Sequence, residues 1–418
     1  MLKNYLKITW AVLKRRKFFT FISLFGISFT LTVLIVVVAF LDHLFAPNYP
    51  ELQRDKILYV PKAELKDTII GWTSNGPVSF HFIKEYVFRM KTPEKIAFTS
   101  HPNTTNAYSP NGTKLRLFYK WTDANFWEVN NFQFVEGKPY IQVNIDNQER
   151  VTVINENTRD EYFGKNVNAV GKDFEIENVG YKVIGVVKGG PITRLYTSSD
   201  VYFPYFLAGK ERLESKDLTG SFVVFLRGRN KKDLENIQAE FNAMIPKIPL
   251  NERGDFKPNK LNVFADPYME SFTRELFGNG SHSGLHFFYM VVILFALLFM
   301  ALPALNLINI NMNRIQERAS EIGIRKAFGA SSRTLTYQFI TENIILALIG
   351  SVLAIILSIL VIYYINHSHL IPYSDLAVNW KVLAWAILIS IVFGLLSGVY
   401  PAWRMSKLQV VDALNDRQ

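Results

Sequence analysis

Four long runs without any Asp, Glu, Lys or Arg stand out from an otherwise polar chain. They are Phe18–Leu41, Leu285–Ile310, Asn343–Asn366 and Val382–Trp403, each of 22 residues or more. An α-helix rises 1.5 Å per residue, so about 20 apolar residues cross the roughly 30 Å hydrocarbon core of a bilayer. The pattern therefore predicts four transmembrane helices, at residues 18–45, 285–312, 334–366 and 380–403.

The polar region between the first two runs, residues 46–284, shows strand and helix patterns in turn. Apolar residues at every second position predict strands, and a 3.6-residue apolar period predicts helices. The predicted helices are Phe80–Met90 and Lys231–Ile245. The predicted strands are Lys56–Val60, Lys95–Thr99, Lys114–Lys120, Val151–Ile154, a hairpin over Phe174–Val187, Val201–Pro204, Ser221–Leu226 and Leu261–Phe264.

The order of these elements predicts two lobes. Two β-α-β units, at about 50–113 and 215–270, flank a strand-rich stretch at about 114–214. The expected fold class is therefore membrane α-helical, with four transmembrane helices, plus an extracytoplasmic α+β domain. The second, β-rich lobe of that domain is expected to be inserted in the first.

Charge predicts the orientation in the membrane. Of the net charge of +10, residues 1–17 carry +6, residues 313–336 carry +3 and residues 403–418 carry +1, which is all of it. Short segments rich in Lys and Arg stay in the cytoplasm. Both termini and the loop at 313–333 are thus expected in the cytoplasm, with a tail at 404–418. Residues 46–284 and the short loop 367–379, which has no Lys or Arg, are expected outside.

The N-terminal residues 1–17 have apolar residues at roughly helical spacing with lysines between them. This pattern fits an amphipathic helix on the inner membrane surface, and it equally fits a basic topology signal. The first apolar run is longer than the h-region of a secretory signal and is followed by no small-x-small cleavage pattern. An uncleaved membrane anchor is expected.

No recognisable catalytic chemistry accompanies these segments. The sequence has no G-x-x-x-x-G-K-[ST] phosphate loop, no zinc-ligand spacing of histidines, no G-x-S-x-G elbow and no cysteine. Basic residues interleaved with aromatic ones, as nucleic-acid binding requires, do not occur outside the membrane flanks. The chain is expected to be non-catalytic, without a metal, a bound cofactor or a nucleic-acid partner.

Three polar residues within the predicted spans are candidate functional positions. Asn306 and Asn309 lie three residues apart on one face of the second span, and Glu342 lies in the third span. Amides in such a stripe can hydrogen-bond a neighbouring helix, and an acid inside a membrane is costly unless it is paired or wetted. Solvated or ion-paired positions at the membrane interface are the alternative for all three.

The stretch 313–336 between the second and third spans is patterned for contact. Glu321 and Arg325 are four residues apart in the favourable order, which supports a short charged helix. Gly329 can end that helix, and Ser331 or Ser332 can cap the next one. Ile322, Ile324 and Phe328 are apolar residues in this polar loop, so they need a partner surface.

Three segments of the sequence resemble the motifs of a known family. Glu317–Ala330, ERASEIGIRKAFGA, is similar to the signature of FtsX-like/MacB-type ABC transporter permeases, approximately E-R-x-x-E-I-G-[IL]-R-[RK]-A-x-G-A. Gln338–Glu342 resembles the family's Q-F-x-x-E, and Tyr400–Leu414 resembles its C-terminal Y-P-A-x-R motif. Met405 and Val410 depart from the usual alanine and proline of that ending. The predicted topology also agrees with that of the family, which has one helix, then a large external domain, then three more helices.

The resemblance implies a permease driven by a separate ABC ATPase subunit, which would bind ATP and Mg. The segment Arg314–Phe328 would be a coupling helix that docks on this ATPase. The residues that match the signature, and to which contact or shape roles carry over, are Glu317, Arg318, Glu321, Ile322, Gly323, Arg325, Lys326, Gly329 and Ala330. A homodimer or a pair of related permeases is implied, in the bacterial inner membrane.

The function implied is mechanotransmission, in which ATP hydrolysis below the membrane moves the external domain. Efflux of a periplasmic substrate, with a periplasmic adaptor and an outer-membrane channel as possible partners, is the leading expectation. Lipoprotein release of the LolC/LolE kind and regulation of a cell-wall hydrolase of the FtsX kind are the alternatives. The substrate has no recognisable motif in the sequence.

Overall fold

The computed structural model describes residues 15, 17–252, 256–278, 282–299 and 331–368, with single residues or short stretches at 301, 324, 328 and between 376 and 395. The described residues form two compact units. Leu44–Phe288 form one unit, and the described residues before and after this range belong to the other.

The helices among the described residues are α1 (Lys17–Phe45), α2 (Phe80–Glu85), α3 (Phe126–Val129), α4 (Gln142–Asp146), α5 (Glu156–Phe163), α6 (Lys210–Glu214), α7 (Asp233–Met244), α8 (Tyr268–Phe277), α9 (Leu285–Phe299) and α10 (Ser332–His367). The strands are β1 (Ile57–Val60), β2 (Ala63–Lys66), β3 (Thr73–Gly76), β4 (Lys95–Ser100), β5 (Asn103–Tyr108), β6 (Lys114–Thr122), β7 (Phe134–Gly137), β8 (Val151–Asn155), β9 (Asp173–Ile176), β10 (Val179–Val187), β11 (Val201–Pro204), β12 (Phe222–Arg227), β13 (Lys260–Val263) and β14 (Asp266–Pro267).

Eleven of these strands form one sheet in the unit Leu44–Phe288. Its order is β11-β8-β10-β9-β5-β6-β4-β12-β1-β14, with β7 on β10. Strand β11 also pairs with β6, so six strands from β11 to β6 close into a circuit. Strands β13, β2 and β3 make a separate small sheet. This unit is an α+β domain, as expected.

One sheet thus crosses the predicted boundary near residue 114. Strand β6 begins at Lys114 and pairs along six residues with β5, which belongs to the flanking segment. Five of the six strands in the closed circuit nevertheless come from the predicted inserted stretch, 114–214. The division of the domain into two lobes remains a prediction.

The sheet separates two apolar clusters because side chains alternate across a strand. In β1, Leu58 and Val60 face one cluster, whereas Ile57 and Tyr59 face the other. Strand β12 alternates in the same way, and all of its six residues are buried. Such continuous burial explains why these strands are apolar apart from Arg227 at the end of β12, since both faces are covered.

Local chemistry sets where the elements begin and turn. Ser79 and Asn155 cap α2 and α5 by accepting backbone N–H groups of Phe82 and Thr158, at 3.0 and 2.8 Å. The β9–β10 hairpin turns through Glu177 and Asn178 at φ 51° and 63°, which suits a two-residue hairpin loop.

The predicted strands are confirmed to within two residues at each end, and so is the predicted helix Lys231–Ile245, which is observed as α7. The predicted helix Phe80–Met90 is split. It contains α2 and a separate 3-10 turn over Val87–Arg89. Both parts contribute to the core, α2 with Phe82 and Ile83 and the 3-10 turn with Val87.

Within the part of the chain that the structure describes, two helices are long and apolar enough to cross a membrane, over Thr20–Phe45 and Thr336–His367. In their unit, Ile27, Leu31 and Ile35 of α1 cluster with Ala354 of α10. Gly350 permits this approach, because a Cβ there would lie 2.6 Å from Ile27 Cγ2. The predicted second span is described only to Phe299 and at residue 301, and most of the fourth span lies outside the described residues.

Strands β7 and β10 approach each other at a pair of glycines. Gly137 pairs with Gly185 and has φ +63°, and a Cβ on Gly137 would lie 2.1 Å from the carbonyl oxygen of Ile184. Gly180, near the start of β10, has no heavy atom within 4 Å of the corresponding position.

We predict that Gly137→Ala lowers the free energy of unfolding by at least about 2 kcal/mol, because it combines a left-handed backbone with a backbone clash. Gly180→Ala is the matched control and should change this free energy by less than about 1 kcal/mol. Chemical unfolding of the full chain in detergent would measure both. If the two substitutions lowered the free energy of unfolding equally, the close approach of β7 and β10 at Gly137 would be contradicted.

Candidate functional site

The predicted ATPase-coupling set lies entirely outside the described residues. Glu317, Arg318, Glu321, Ile322, Gly323, Arg325, Lys326, Gly329 and Ala330 lie outside the described residues, as do Asn306 and Asn309. Their roles remain predictions. Two neighbours are described: Phe328 donates its backbone N–H to the carbonyl of Ile324 at 3.0 Å, and both side chains are exposed.

The beginning of α10 agrees with the sequence. Ser331 is the N-cap, and its Oγ accepts the backbone N–H of Thr334 at 3.2 Å. Of the two predicted candidates, Ser331 and Ser332, the first is therefore the cap. Glu342, ten residues into the helix, is buried, and so is its neighbour Asn343. A functional role for Glu342 stays a prediction.

In the α+β domain, the chain enters and leaves through neighbouring strands. Residues 44–54, which we call the lead-in segment, connect the end of α1 to β1. Strand β14 precedes α8, which leads to α9. Strands β1 and β14 are paired, with Tyr59 opposite Asp266. The two connections to the apolar helices therefore meet at one edge of the sheet.

A buried group of charges joins these two connections. We call the side chains of Glu51, Arg54, Arg194, Thr197 and Tyr268 the stem cluster. The Glu51 carboxylate accepts hydrogen bonds from Arg54, including Nε at 2.6 Å, and from Thr197 Oγ1 at 2.5 Å. Arg194 Nη1 lies 3.9 Å from the same carboxylate, and Glu51 and Arg194 have no exposed surface. Charges buried this completely must be paired to be tolerated.

The guanidinium groups also contact the end of α1 and the start of α8, which we call the exit helix because it leads out of the domain to α9. Arg54 Nη1 donates to the carbonyl of Leu44 at 2.8 Å, and Arg194 Nη1 donates to that of Ala46 at 3.1 Å. These carbonyls lie where a helix leaves backbone acceptors unsatisfied. Arg54 Cζ also lies 3.5 Å from the ring centroid of Tyr268, the first residue of α8.

Aromatic rings surround the stem cluster and connect it to the sheet. The rings of Tyr59 in β1, Tyr196 and Tyr268 lie within 5.4 to 5.9 Å of one another. Burial, followed by the Glu51 charge, raises the pKa of Tyr268 to about 12. The phenol therefore stays neutral near pH 7. Phe45 adds a second link, because its ring lies 5.2 Å from that of Phe272 in α8 and 5.7 Å from that of Phe288.

A buried lysine holds the loop that carries Arg194. Lys120 Nζ donates to the carbonyls of Leu195, Ser100 and Tyr196 at 3.0 to 3.2 Å. Burial lowers the pKa of Lys120 to about 7, although the Glu51 charge raises it. Burial, and then the Lys120 charge, lowers the pKa of His101 to about 4.

The stem cluster has no recognisable motif in the sequence. The one local signal was Glu51 and Arg54, which are three residues apart in a polar segment and resemble a surface pair. Arg194 and Tyr268 come from distant parts of the chain, and nothing in their immediate neighbours marks them as buried partners. Among the described residues, no group of His, Asp and Glu could hold a metal ion.

Two family models match the chain. The FtsX-like permease C-terminal model matches residues 293–410, and the MacB-like periplasmic core domain model matches residues 20–244. The second alone covers more than half of the chain.

Curated relatives include the macrolide export ATP-binding/permease proteins MacB of Salmonella typhi and of Escherichia coli strain K12. Each is 25% identical, over 342 and 343 residues, which is 79% of this chain and 49% of the relative. The chain thus spans about half the length of the curated relatives it matches.

Solved structures with similarity include the periplasmic region of MacB from Actinobacillus actinomycetemcomitans, with a TM-score of 0.36 at 9% identity, covering 54% of this chain and 94% of that one. The extracellular domain of the ABC-type transporter YknZ from Gram-positive bacteria has a TM-score of 0.36 at 11% identity, covering 49% and 99%.

We predict that Glu51→Gln lowers the free energy of unfolding by about 3–5 kcal/mol, because it leaves two buried guanidinium groups without their counter-charge. Glu85→Gln is the control. It removes the exposed partner of Arg89 and should cost less than about 1 kcal/mol. Denaturant unfolding of the full chain would compare them, and a Glu51 effect as small as the control would argue against a buried cluster.

We predict that His101 makes the folded chain less stable in acid. Its ordinary pKa is 6.5 and its folded pKa is about 4, so between these pH values the unfolded chain binds more protons. Stability should fall as pH drops from 6.5 to 4. His101→Asn should lessen this fall by at most about 3 kcal/mol. Unfolding of both chains at pH 7 and pH 4 tests this, since they share every other titrating group; identical pH dependence would refute it.

Proposed function

Because this chain belongs to the family of FtsX-like ABC transporter permeases with a MacB-like periplasmic core domain, we propose that it is a permease subunit that transmits force. ATP hydrolysis by an ABC ATPase moves its apolar helices, and these move the α+β domain. No substrate needs to pass through the membrane helices. The chain itself has no catalytic role in this proposal.

One observation carries the mechanical part of the proposal. The end of α1 and the start of the exit helix α8 meet in the stem cluster, and their strands β1 and β14 are neighbours in the sheet. A displacement of either connection therefore acts on the same edge of the sheet. Buried, hydrogen-bonded charges make this joint stiff, because every distortion leaves a charge poorly paired.

The proposed architecture keeps the four transmembrane helices at 18–45, 285–312, 334–366 and 380–403. The chain would lie in the bacterial inner membrane with both termini in the cytoplasm and residues 46–284 in the periplasm. The concentration of Lys and Arg beside the apolar runs supports this orientation. The β-rich stretch 114–214 would form the second lobe of the periplasmic domain.

The proposed partner is an ABC ATPase in a separate chain, which would bind ATP and Mg. The MacB relatives carry both ATP-binding and permease in their names, and this chain matches about half of their length. Glu317–Ala330 would contact the ATPase, with Ile324 and Phe328 as exposed apolar anchors. A second permease subunit, and an adaptor with an outer-membrane channel, are further proposed partners.

Efflux of a periplasmic substrate is the proposed outcome of this movement. The curated relatives named as macrolide exporters support it. Release of lipoproteins from the inner membrane and control of a cell-wall hydrolase would use the same driven movement. Deletion strains separate the three: sensitivity to toxic compounds indicates efflux, retained lipoproteins indicate release, and chained cells indicate hydrolase control.

We predict that Glu321→Arg and Arg325→Glu each reduce co-purification of the ABC ATPase about tenfold, equivalent to ~1.4 kcal/mol of binding free energy. Each change reverses a charge on the proposed contact helix. The double exchange restores the attraction within the helix but not the contact with the ATPase, so it should not rescue binding.

Lys210→Glu, on the exposed surface of α6 in the α+β domain, is the charge-reversal control and should leave co-purification unchanged. The measurement is the ratio of ATPase to permease after affinity purification from membranes. If the permease purifies without any ATPase, or if all variants retain it equally, the proposed coupling is wrong.

A further inference from the structure

A loop beside the end of α1 carries exposed apolar side chains. We call residues 188–195 the collar loop. Within it, Ile192 is 51% exposed and Leu195 is 43% exposed, and Leu52 of the adjacent lead-in segment is 51% exposed. Isolated exposed aliphatic residues are common. These three, however, lie within two residues of Glu51 or Arg194 in the chain, beside one buried charge cluster, and this placement needs an explanation.

Successive residues of the collar loop contact progressively earlier residues of the lead-in segment. Tyr49 Oη donates to the carbonyl of Lys188 at 2.8 Å, and a Cβ on Gly190 would lie 3.3 Å from the ring of Pro50. Further along the loop, Arg194 bonds to the carbonyls of Ala46 and Leu44, at 3.1 and 3.4 Å. The loop therefore runs back toward the end of α1, and Ile192 and Leu195 flank the residue that reaches it.

The collar loop is also preorganised. Arg194 accepts backbone hydrogen bonds at its carbonyl from Thr197 and Ser198, at 3.0 and 2.8 Å, and donates its own N–H to Pro191 at 2.9 Å. Its side chain has no exposed surface. Lys120 binds the carbonyl of Leu195 from the other side at 3.0 Å. The exposed side chains are thus presented by a backbone that is already ordered, so a surface can bind them at little entropic cost.

The neighbouring residues indicate which surface this is. Helix α1 is apolar up to Leu41, so its end at Phe45 lies where a span reaches the membrane–water interface. Tyr49 lies next to Lys188, an exposed residue whose Nζ is 5.6 Å from the Tyr49 ring centroid. Aromatic and cationic side chains beside aliphatic ones are typical of segments at this interface, where the cation can meet lipid phosphate.

We propose that the collar loop is a lipid-binding surface, with Ile192, Leu195 and Leu52 inserted at the headgroup boundary of the bilayer that holds α1. This inference rests on the proposed membrane-spanning role of α1. It assigns a contact to the lipid surface beyond the transmembrane helices themselves. The stem cluster would then be enclosed by lipid on its outer side and by the sheet on its inner side.

The absence of cysteine makes a direct test possible, because any introduced cysteine is unique. Ile192→Cys and Leu195→Cys, each in the full chain in lipid nanodiscs, would carry a nitroxide label. Collision with oxygen, which concentrates in lipid, is compared with collision with a water-soluble nickel chelate. Two further single cysteines give the references. Val37→Cys lies on α1, and Tyr108→Cys lies at the end of β5, about 20 Å along the hairpin from the level of Lys120.

At positions 192 and 195 we expect nickel collisions several-fold lower than at Tyr108→Cys, with oxygen collisions between those of the two references. A water-like ratio at 192 and 195, with a lipid-like ratio at Val37→Cys, would overturn the inference alone. A water-like ratio at Val37→Cys as well would overturn the proposed span of α1. Low collisions with both reagents, or spin–spin broadening between two copies, would mean that protein covers the loop, and would also overturn the inference.

Discussion

The buried carboxylate of Glu51 is the constraint on which the arrangement of the α+β domain depends. It holds the guanidinium of Arg54 from its own segment and lies 3.9 Å from that of Arg194, which is 143 residues further along the chain. In a low-dielectric interior none of these charges can be left alone without a penalty of several kcal/mol. The lead-in segment, the collar loop and the first turn of α8 are therefore fixed together.

The burial that makes these charges strongly interacting comes from the aromatic rings around them. Tyr59, Tyr196 and Tyr268 exclude water and pack against Phe225 and other residues of the second apolar cluster. Tyr59 belongs to β1, so the same ring that shields the charges is also part of the sheet. Electrostatics and packing are thus not separate contributions here. The rings raise the cost of breaking the ion pairs, and the ion pairs fix where the rings lie.

Sequence patterns predicted the parts of this fold that depend on local periodicity. The strands β4, β8 and β12, the helix α7 and the cap at Ser331 follow from neighbouring residues, and each was found close to the predicted position. Helix α8 was not predicted, although it carries Tyr268 and begins just after a short strand. The stem cluster could not be predicted either. Charged residues such as Glu51, Arg54 and Arg194 usually lie on the surface. Their burial becomes evident only from the tertiary structure, where they pair with one another.

In the proposed transmission of force, the free energies involved decide whether the stem cluster would act as a switch or as a rigid joint. Coupling free energies between distant sites are typically about 1–3 kcal/mol, whereas breaking a buried ion pair costs about 3–5 kcal/mol. A driven movement of ordinary size would therefore leave Glu51, Arg54 and Arg194 paired throughout. The lead-in segment and α8 would move as one piece with the edge of the sheet formed by β1 and β14. Any change of shape within the domain must then occur away from this edge, where strands meet without buried charges.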